Sequence, residues 1–288
     1  YSMFGFQRVG DMTWLAGDQQ ARGFLLGATA GRTTLNGEGL QHEDGHSHIL
    51  ASTVPNCISY DPAFAYEMAV IIQDGLRRMY GPDQENIYYY LTLMNEAYFQ
   101  PAMPKGVEEG IRKGIYKLLS QEGKKTKVQL LGSGTILNEV IKASEMLSSE
   151  YGIGSDIYSV TSFNELTRNG QDVIRHNMLN PDEKPETPYV ADVMGNEPAI
   201  AATDYMKNYA EQIRAFIPAE SYLVLGTDGF GRSDSRENLR THFEVNQHYI
   251  VIATLSQLAK RGDVKKDTVT EAITKYGIDT SKSNPLFS

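Results

Sequence analysis

The chain has 288 residues, 41% of them hydrophobic and 22% charged, which is typical of a globular protein whose length favours two domains over one. Its formal net charge of −9 argues against a nucleic-acid partner, which would require a basic face, and no apolar run approaches the roughly 20 residues that span a bilayer. The single cysteine, Cys57, allows no internal disulfide, and this fits a reducing cytoplasm.

The first hundred residues alternate between helical and strand patterns. The chain opens on Tyr1 inside an apolar pattern, so we expect the C-terminal part of a longer polypeptide, with Tyr1 and Phe4 as core residues on this pattern alone. The alternation predicts part of an α/β sandwich with a largely parallel sheet, incomplete because two strands make a poor sheet. The predicted elements are a helix over about 6–26, a short helix after residue 44, strands at 56–60 and 86–94, and an amphipathic helix at 63–80.

The prolines at 101 and 104 mark a linker, which predicts domains at 1–102 and 103–288. In the second part we predict two strands joined across residues 123–125, followed by a βαβ unit, and an irregular polar stretch at 164–186. The predicted elements are strands at 114–119, 127–131, 157–160, 189–191, 199–201 and 222–225, and helices at 137–151, 205–216, 247–260 and 268–276.

The glycine-rich stretch 36–48 contains three of the six histidines, and we predict that it is an active-site loop. A zinc site formed by His42, His46 and His48 is disfavoured, because Gly45 stands where a ligand-bearing helix would have to continue. Histidine titrates near neutral pH, so acid/base chemistry or substrate binding is favoured for His42, with acids nearby to orient it. For His46 and His48 a structural role, such as capping a helix, remains open.

Two further glycine-rich turns carry weaker signals. The turn 132–134 follows a strand but lacks the third glycine of a dinucleotide fingerprint, since Leu137 occupies that position, so a structural turn is favoured. In the stretch 226–235, Asp228 and Arg232 could clamp a ligand, whereas a helix cap at residue 233 or 234 is the simpler interpretation.

Five motifs together closely resemble the homodimeric bacterial pyruvate dehydrogenase family, the thiamine-diphosphate-dependent decarboxylating components of the pyruvate dehydrogenase complex. The resemblance runs over essentially the whole chain. The motifs are YSMFGFQR at 1–8, GDQQARGF at 17–24, GRTTLNGEGLQHEDGHSH at 31–48, PNCISYDP at 55–62 and VLGTDGFGRSDSRENLR at 224–240.

The resemblance implies a fold, a cofactor and site residues. It implies an α/β chain that holds the second half of a pyrimidine-binding domain followed by a transketolase C-terminal-like domain. By match to the family motifs, Tyr1 and Phe4 line the aminopyrimidine pocket, which replaces their interpretation as core. His42 faces the reacting end of the cofactor, and Glu38 belongs to the same polar network. No metal ligand is assigned to this chain, because the magnesium motif and the glutamate that activates the aminopyrimidine are expected upstream.

The resemblance also implies the reaction and its partners. The parent enzyme would decarboxylate pyruvate oxidatively with thiamine diphosphate and Mg²⁺, and would acetylate the lipoyl group of the acetyltransferase component. It would act as a cytoplasmic homodimer, with no membrane or nucleic-acid partner, and the 288-residue piece alone is expected to be inactive. Two alternatives stay open: another thiamine-diphosphate enzyme of transketolase type, and a non-catalytic dimerisation module.

Overall fold

The computed structural model describes residues 2–288, which form two sheets with helices packed around them. The strands are β1 (Phe24–Ala30), β2 (Cys57–Tyr60), β3 (Tyr88–Met94), β4 (Ile115–Gln121), β5 (Lys127–Gly132), β6 (Gly154–Val160), β7 (Ala199–Ala202) and β8 (Tyr222–Leu225). The helices are α1 (Ser2–Asp18), α2 (Ser47–Ser52), α3 (Ala65–Tyr80), α4 (Glu108–Lys113), α5 (Leu137–Met146), α6 (Phe163–Leu179), α7 (Tyr189–Val193), α8 (Asn208–Glu211), α9 (Arg236–His242), α10 (Gln247–Arg261) and α11 (Lys266–Lys275). Among the described residues, none of these helices has both the length and the apolar character needed to cross a membrane.

The first unit, residues 2–94, contains a parallel three-stranded sheet in the order β1, β3, β2. The prediction of one helix over 6–26 is wrong, because α1 ends at Asp18 and β1 begins at Phe24. Pairing with β3 decides this conformation: Leu25 and Leu26 lie opposite Tyr90 and Leu91. The two predicted strands are confirmed as β2 and β3, so the sheet has one strand more than the pattern indicated.

The second unit, residues 108–288, contains a five-stranded sheet in the order β4, β6, β5, β7, β8, with β4 antiparallel and the other strands parallel. The strands β4 and β5, which residues 123–125 join, are not neighbours in the sheet, because β6 lies between them. Both faces of the sheet are covered. Val128 and Leu130 face the layer that contains α5 and α10, while Leu131 faces the layer that contains α6.

Three other predictions in the second unit are wrong. The stretch 164–186, expected to be irregular, lies largely in α6, and the strand expected at 189–191 lies in the short helix α7. The helix expected at 205–216 is reduced to the single turn α8. The strands at 199–201 and 222–225 and the two closing helices are confirmed, with small changes at their ends.

The two units meet at the carboxyl ends of their parallel strands. Asp61, which follows β2, donates its backbone N–H to the carbonyl of Thr161 after β6, and its own carbonyl accepts from Gly134 after β5. Arg32, after β1, donates its backbone N–H to the carbonyl of Asp204 after β7. In parallel sheets the loops at this edge usually hold the functional site. In this protein the loops at the carboxyl edges of both sheets contact one another.

Candidate functional site

The loop that follows β1 is anchored on the second unit as soon as it leaves the sheet. Gly31 adopts φ of +88°, and a Cβ at this position would overlap the carboxylate of Asp204, so glycine is required twice over. Thr33 donates its backbone N–H to this carboxylate at 3.1 Å and its hydroxyl to the same group at 2.7 Å. Burial raises the pKa of Asp204 to about 6, against the lowering influence of Arg240 and these hydrogen bonds.

The structure brings His42, Glu38 and Phe4 together at a partly open edge. A single 3₁₀ turn, Leu40–His42, carries the imidazole, and His42 Nδ1 lies 3.1 Å from Glu38 Oε2. The ring of Phe4, on α1, meets the imidazole edge-on at a centroid distance of 5.1 Å. The side chains of His42 and Glu38 are 21% and 41% exposed, so both are accessible to a bound molecule. Tyr1, the fourth predicted site residue, lies outside the described residues.

Of the two other histidines of the loop, His48 points into the protein and His46 is partly exposed. His48 is fully buried and stacks on Tyr209 at 4.8 Å, and burial lowers its pKa to about 3, so its imidazole is neutral. His46 begins α2 but its side chain makes no capping bond. The cap comes from Asp44, whose Oδ1 accepts from the backbone N–H groups of His46 and Ser47 at 3.0 and 2.9 Å.

Two buried charged side chains behind the loop were not predicted to belong to the site. Arg32 is 4% exposed and donates to the carbonyl of Gly229, while Glu43 is fully buried and accepts from the backbone N–H of Arg232 at 2.7 Å. Burial raises the pKa of Glu43 to about 8 and lowers that of Arg32. The sequence gives no local signal for either role, because the partners of Arg32 and Glu43 lie 197 and 189 residues further along the chain.

The stretch 226–235 makes structural contacts. Asp228 Oδ1 accepts from the backbone N–H of Lys207 at 3.1 Å, and the Arg232 guanidinium donates to the carbonyl of Ser288. The cap of α9 is Ser235, which accepts from the N–H of Asn238 at 3.3 Å, so the predicted cap lay one or two residues too early. The turn at 132–134 likewise makes a structural contact, through the N–H of Gly134.

The arrangement supports proton transfer and binding of a flat, partly apolar group. A histidine beside a carboxylate can be held in one tautomer and can exchange a proton through its second ring nitrogen. Phe4 supplies an aromatic surface next to it. Among the residues the structure describes, no group of three or more His, Cys, Asp or Glu side chains is placed to hold a metal ion.

Comparison with known proteins gives two family matches along the chain. The pyruvate dehydrogenase E1 component middle domain matches residues 1–101, and the transketolase-like TK C-terminal domain matches residues 114–246. The chain is 67% identical over 285 residues to the pyruvate dehydrogenase E1 component of Escherichia coli K12, covering 99% of this chain and 32% of that protein. The corresponding protein of Haemophilus influenzae is 61% identical over 290 residues, covering 100% and 33%. The chain therefore spans about a third of the length of the curated relatives it matches.

Solved structures with the same fold include transketolases of low sequence identity. The transketolase of Campylobacter jejuni superposes with a TM-score of 0.63 at 16% identity, covering 89% of this chain and 34% of that one. The transketolase of Pichia stipitis in complex with sedoheptulose 7-phosphate gives 0.67 at 13% identity, covering 90% and 33%. At such identities the likeness shows the fold alone.

Proposed function

Since the chain belongs to the pyruvate dehydrogenase E1 component family, we propose that it is the part of a pyruvate-decarboxylating enzyme that contributes His42 and Glu38 to the active site. The observation that carries this proposal is the open edge formed by these two side chains and Phe4. In a globular protein, a partly exposed histidine beside a carboxylate and an aromatic ring, at the carboxyl ends of parallel strands, is more typical of a site than of a core.

The residues present fit one wall of a site for thiamine diphosphate. Phe4 offers a half-buried aromatic surface, and His42 beside it offers a polar edge. Within residues 2–288, apart from the immediate chain neighbours, no atom lies within 4 Å of the position that a Cβ would take at Gly5 or Gly37, so among these residues there is open space next to Phe4 and Glu38. We include Phe4, His42 and, by family resemblance, Tyr1 among the residues that hold the aminopyrimidine.

The side chains of this chain position groups and move protons. Thiamine diphosphate, when bound, supplies the nucleophile for the pyruvate carbonyl and the electron sink for loss of carbon dioxide. Glu38 Oε2, 3.1 Å from His42 Nδ1, would favour the tautomer that carries its proton on Nδ1, and in that tautomer Nε2 would exchange a proton with the reacting oxygen. Glu38 also keeps the imidazole from rotating away from Phe4.

The remaining parts of the proposal concern groups outside this chain. Mg²⁺ would be held by residues that this chain does not contain. The acceptor would be the lipoyl group of an acetyltransferase component, within a multienzyme complex of the cytoplasm, and the active enzyme would be a homodimer. We also propose that the boundary between the two domains lies near residues 102 and 103, within the segment 95–107 that has neither helix nor strand.

The test uses the natural polypeptide that carries this sequence, with and without His42→Ala. We expect pyruvate decarboxylation with transfer to a lipoyl acceptor, and a fall in kcat of about 100-fold or more in the variant, because a positioned acid/base group typically contributes that much. Steady-state kinetics with pyruvate and a lipoyl domain measure both quantities. Thermal unfolding establishes that the variant is folded.

A matched control is His176→Ala, which removes an imidazole on α6 that faces Glu183 and Glu186 instead. This variant should retain the parental kcat. Unchanged turnover for His42→Ala at unchanged stability would exclude the catalytic role and favour a non-catalytic module. Transfer between sugar phosphates without pyruvate consumption would favour the transketolase-type alternative.

A further inference from the structure

At the end of the 3₁₀ turn Leu40–His42, the consecutive side chains of His42 and Glu43 point in different directions. His42 faces the open edge, while Glu43 turns inward and is fully buried. Glu43 Oε2 accepts the backbone N–H of Arg232 at 2.7 Å, and Oε1 has no hydrogen-bond partner among residues 2–288. The turn that carries His42 is therefore tied to the loop 226–232 of the second unit through the side chain of the next residue.

The packing between the turn and this loop leaves no room for a side chain at Gly231. A Cβ at Gly231 would lie 2.5 Å from the carbonyl oxygen of Leu40 and 3.0 Å from both Cβ and Oε2 of Glu43. Such distances are too short for a real side chain, so the two backbones approach as closely as glycine permits. The loop 226–232 therefore restricts the position of the turn at Leu40–His42.

The rest of the histidine loop is held by the same unit. At its start, the N–H of Gly37 donates to the carbonyl of Asp234 at 2.9 Å. At its end, the carbonyl of Gly45 accepts from the N–H of Met206 at 2.7 Å. Arg32, which precedes this stretch, donates to the carbonyl of Gly229 and lies near the acidic side chains of Asp44, Asp204, Glu43 and Asp228. The anchors are distributed along the loop, and Glu43 is the one adjacent to His42.

We propose that Glu43 is a positioning residue for His42: by accepting the N–H of Arg232, it fixes the turn against the second unit and so sets the location of the imidazole. Glu43 is assigned no contact with substrate or cofactor and acts only through His42. This inference therefore rests on the proposed function, in which His42 is catalytic. In this proposal the second unit contributes to catalysis by fixing the position of His42, which belongs to the first unit.

The role depends on hydrogen bonding rather than on charge. Burial raises the pKa of Glu43 to about 8, so the carboxyl group is largely protonated at neutral pH. Glutamine has the shape of a protonated glutamate, and its amide oxygen can accept the same N–H. Glu43→Gln should therefore preserve the tie that Glu43→Ala removes.

The experiment is a double-mutant cycle in the natural polypeptide that carries this sequence. We expect Glu43→Ala to lower kcat about 10- to 100-fold with a smaller change in KM, because a misplacement of about 1 Å can cost 100-fold. Glu43→Gln should stay within about threefold of the parent. The double variant His42→Ala/Glu43→Ala should be no slower than His42→Ala alone, because a residue that acts through His42 adds nothing once His42 is gone.

The outcomes separate this inference from the proposed function. A penalty for Glu43→Ala that persists in the His42→Ala background, or an unchanged kcat for Glu43→Ala, would overturn the positioning role while leaving His42 catalytic. An unchanged kcat for His42→Ala would instead overturn the proposed function. If Glu43→Ala does not fold, Glu43→Asp replaces it, since the shorter side chain withdraws the acceptor while keeping the carboxyl group. Glu237→Gln, an exposed glutamate on α9, is the control and should retain the parental kcat.

Discussion

Arg32 is the charged residue whose burial most constrains the loop around it. Its guanidinium lies between two glycine-rich segments, donating to Gly229 on one side and pressing on Gly45 on the other. Four acidic side chains lie near it, and those that are ionised offset part of the cost of desolvation, which nevertheless lowers the pKa of Arg32. A buried cation with its partners arranged around it has no alternative position of similar free energy. A side chain that displaces it should therefore be costly.

Gly45→Ala tests this constraint. The added Cβ would overlap the Arg32 guanidinium, so the arginine must leave its carbonyl partner or the backbone must shift. We expect the free energy of unfolding to fall by about 1–3 kcal/mol, the usual range for overpacking a buried site. Gly5→Ala is the matched control, because no non-neighbouring atom of the described part of the chain lies within 4 Å of its Cβ position, and it should be neutral or slightly stabilising. Equal midpoints in thermal unfolding for both variants would show that Arg32 moves freely.

The sequence could identify the histidine loop but could not separate the environments of its three histidines. Spacing places His42, His46 and His48 within seven residues, yet one lies at an open edge and another among buried tyrosines. Orientation depends on Asp44, which caps α2 and turns the following residues inward, and on contacts with Tyr205 and other residues far along the chain. Local pattern contains no information on such contacts.

At the scale of elements, two of the failed predictions have a clear cause: a short apolar strand, β1, follows a helix, and the helix α6 has few apolar residues. β1 continues the helical spacing of α1 by chance, and only its pairing with β3 makes it a strand. The helix α6 buries a single narrow stripe that includes Phe163 and Leu166, so its composition resembled a loop. A local signal for α6 was present: Ser162 caps it by accepting the N–H of Glu165 at 3.0 Å.

Glu67 links the start of α3 to the second unit, and its removal should be strongly destabilising. It is fully buried; Oε2 accepts the N–H groups of Ala63 and Phe64 at 2.6 and 3.0 Å, and Oε1 accepts the hydroxyls of Tyr116 and Ser159 at 2.7 and 2.6 Å. Glu67→Ala loses a helix cap and leaves buried hydroxyls unpaired. We expect a loss of about 2–4 kcal/mol in the free energy of unfolding, measured by denaturant titration.

Two further variants make the test of Glu67 specific. Glu67→Gln should cost less than Glu67→Ala, because the amide oxygen can still cap α3 while the amide NH₂ donates to hydroxyls that reverse their role. Glu145→Ala removes an exposed glutamate on α5 and should change stability by less than about 0.5 kcal/mol. A loss for Glu67→Ala no larger than that of the control would contradict the linking role.

At the scale of the whole molecule, the two units are joined by buried polar groups as well as by apolar contacts. Asp61 is fully buried at this junction, where its carboxyl group accepts the hydroxyl of Thr92 at 2.7 Å and lies 3.9 Å from His48 Nε2. Burial raises the pKa of Asp61 to about 7 and lowers that of His48, so both side chains are neutral in the folded protein over a wide pH range. The junction thus favours uncharged partners.

Asp61→Asn should change how stability depends on pH. The folded pKa of Asp61, about 7, lies above the ordinary value of about 4, so the folded state holds this proton to higher pH. The stabilisation is fully present below about pH 4 and is lost as pH rises towards 7, with a slope of at most about 1.4 kcal/mol per pH unit. His48 contributes an opposite slope, because its pKa is lowered to about 3, but it is present in both proteins and cancels in their difference.

The measured quantity is therefore the stability of the parent minus that of Asp61→Asn, from denaturant titrations between pH 4 and 8. We expect this difference to fall across the interval, whereas Asp172→Asn, an exposed aspartate on α6, should give a constant difference. Parallel curves for the parent and Asp61→Asn would mean that Asp61 is charged in the folded protein, and the junction would then have to contain a compensating cation.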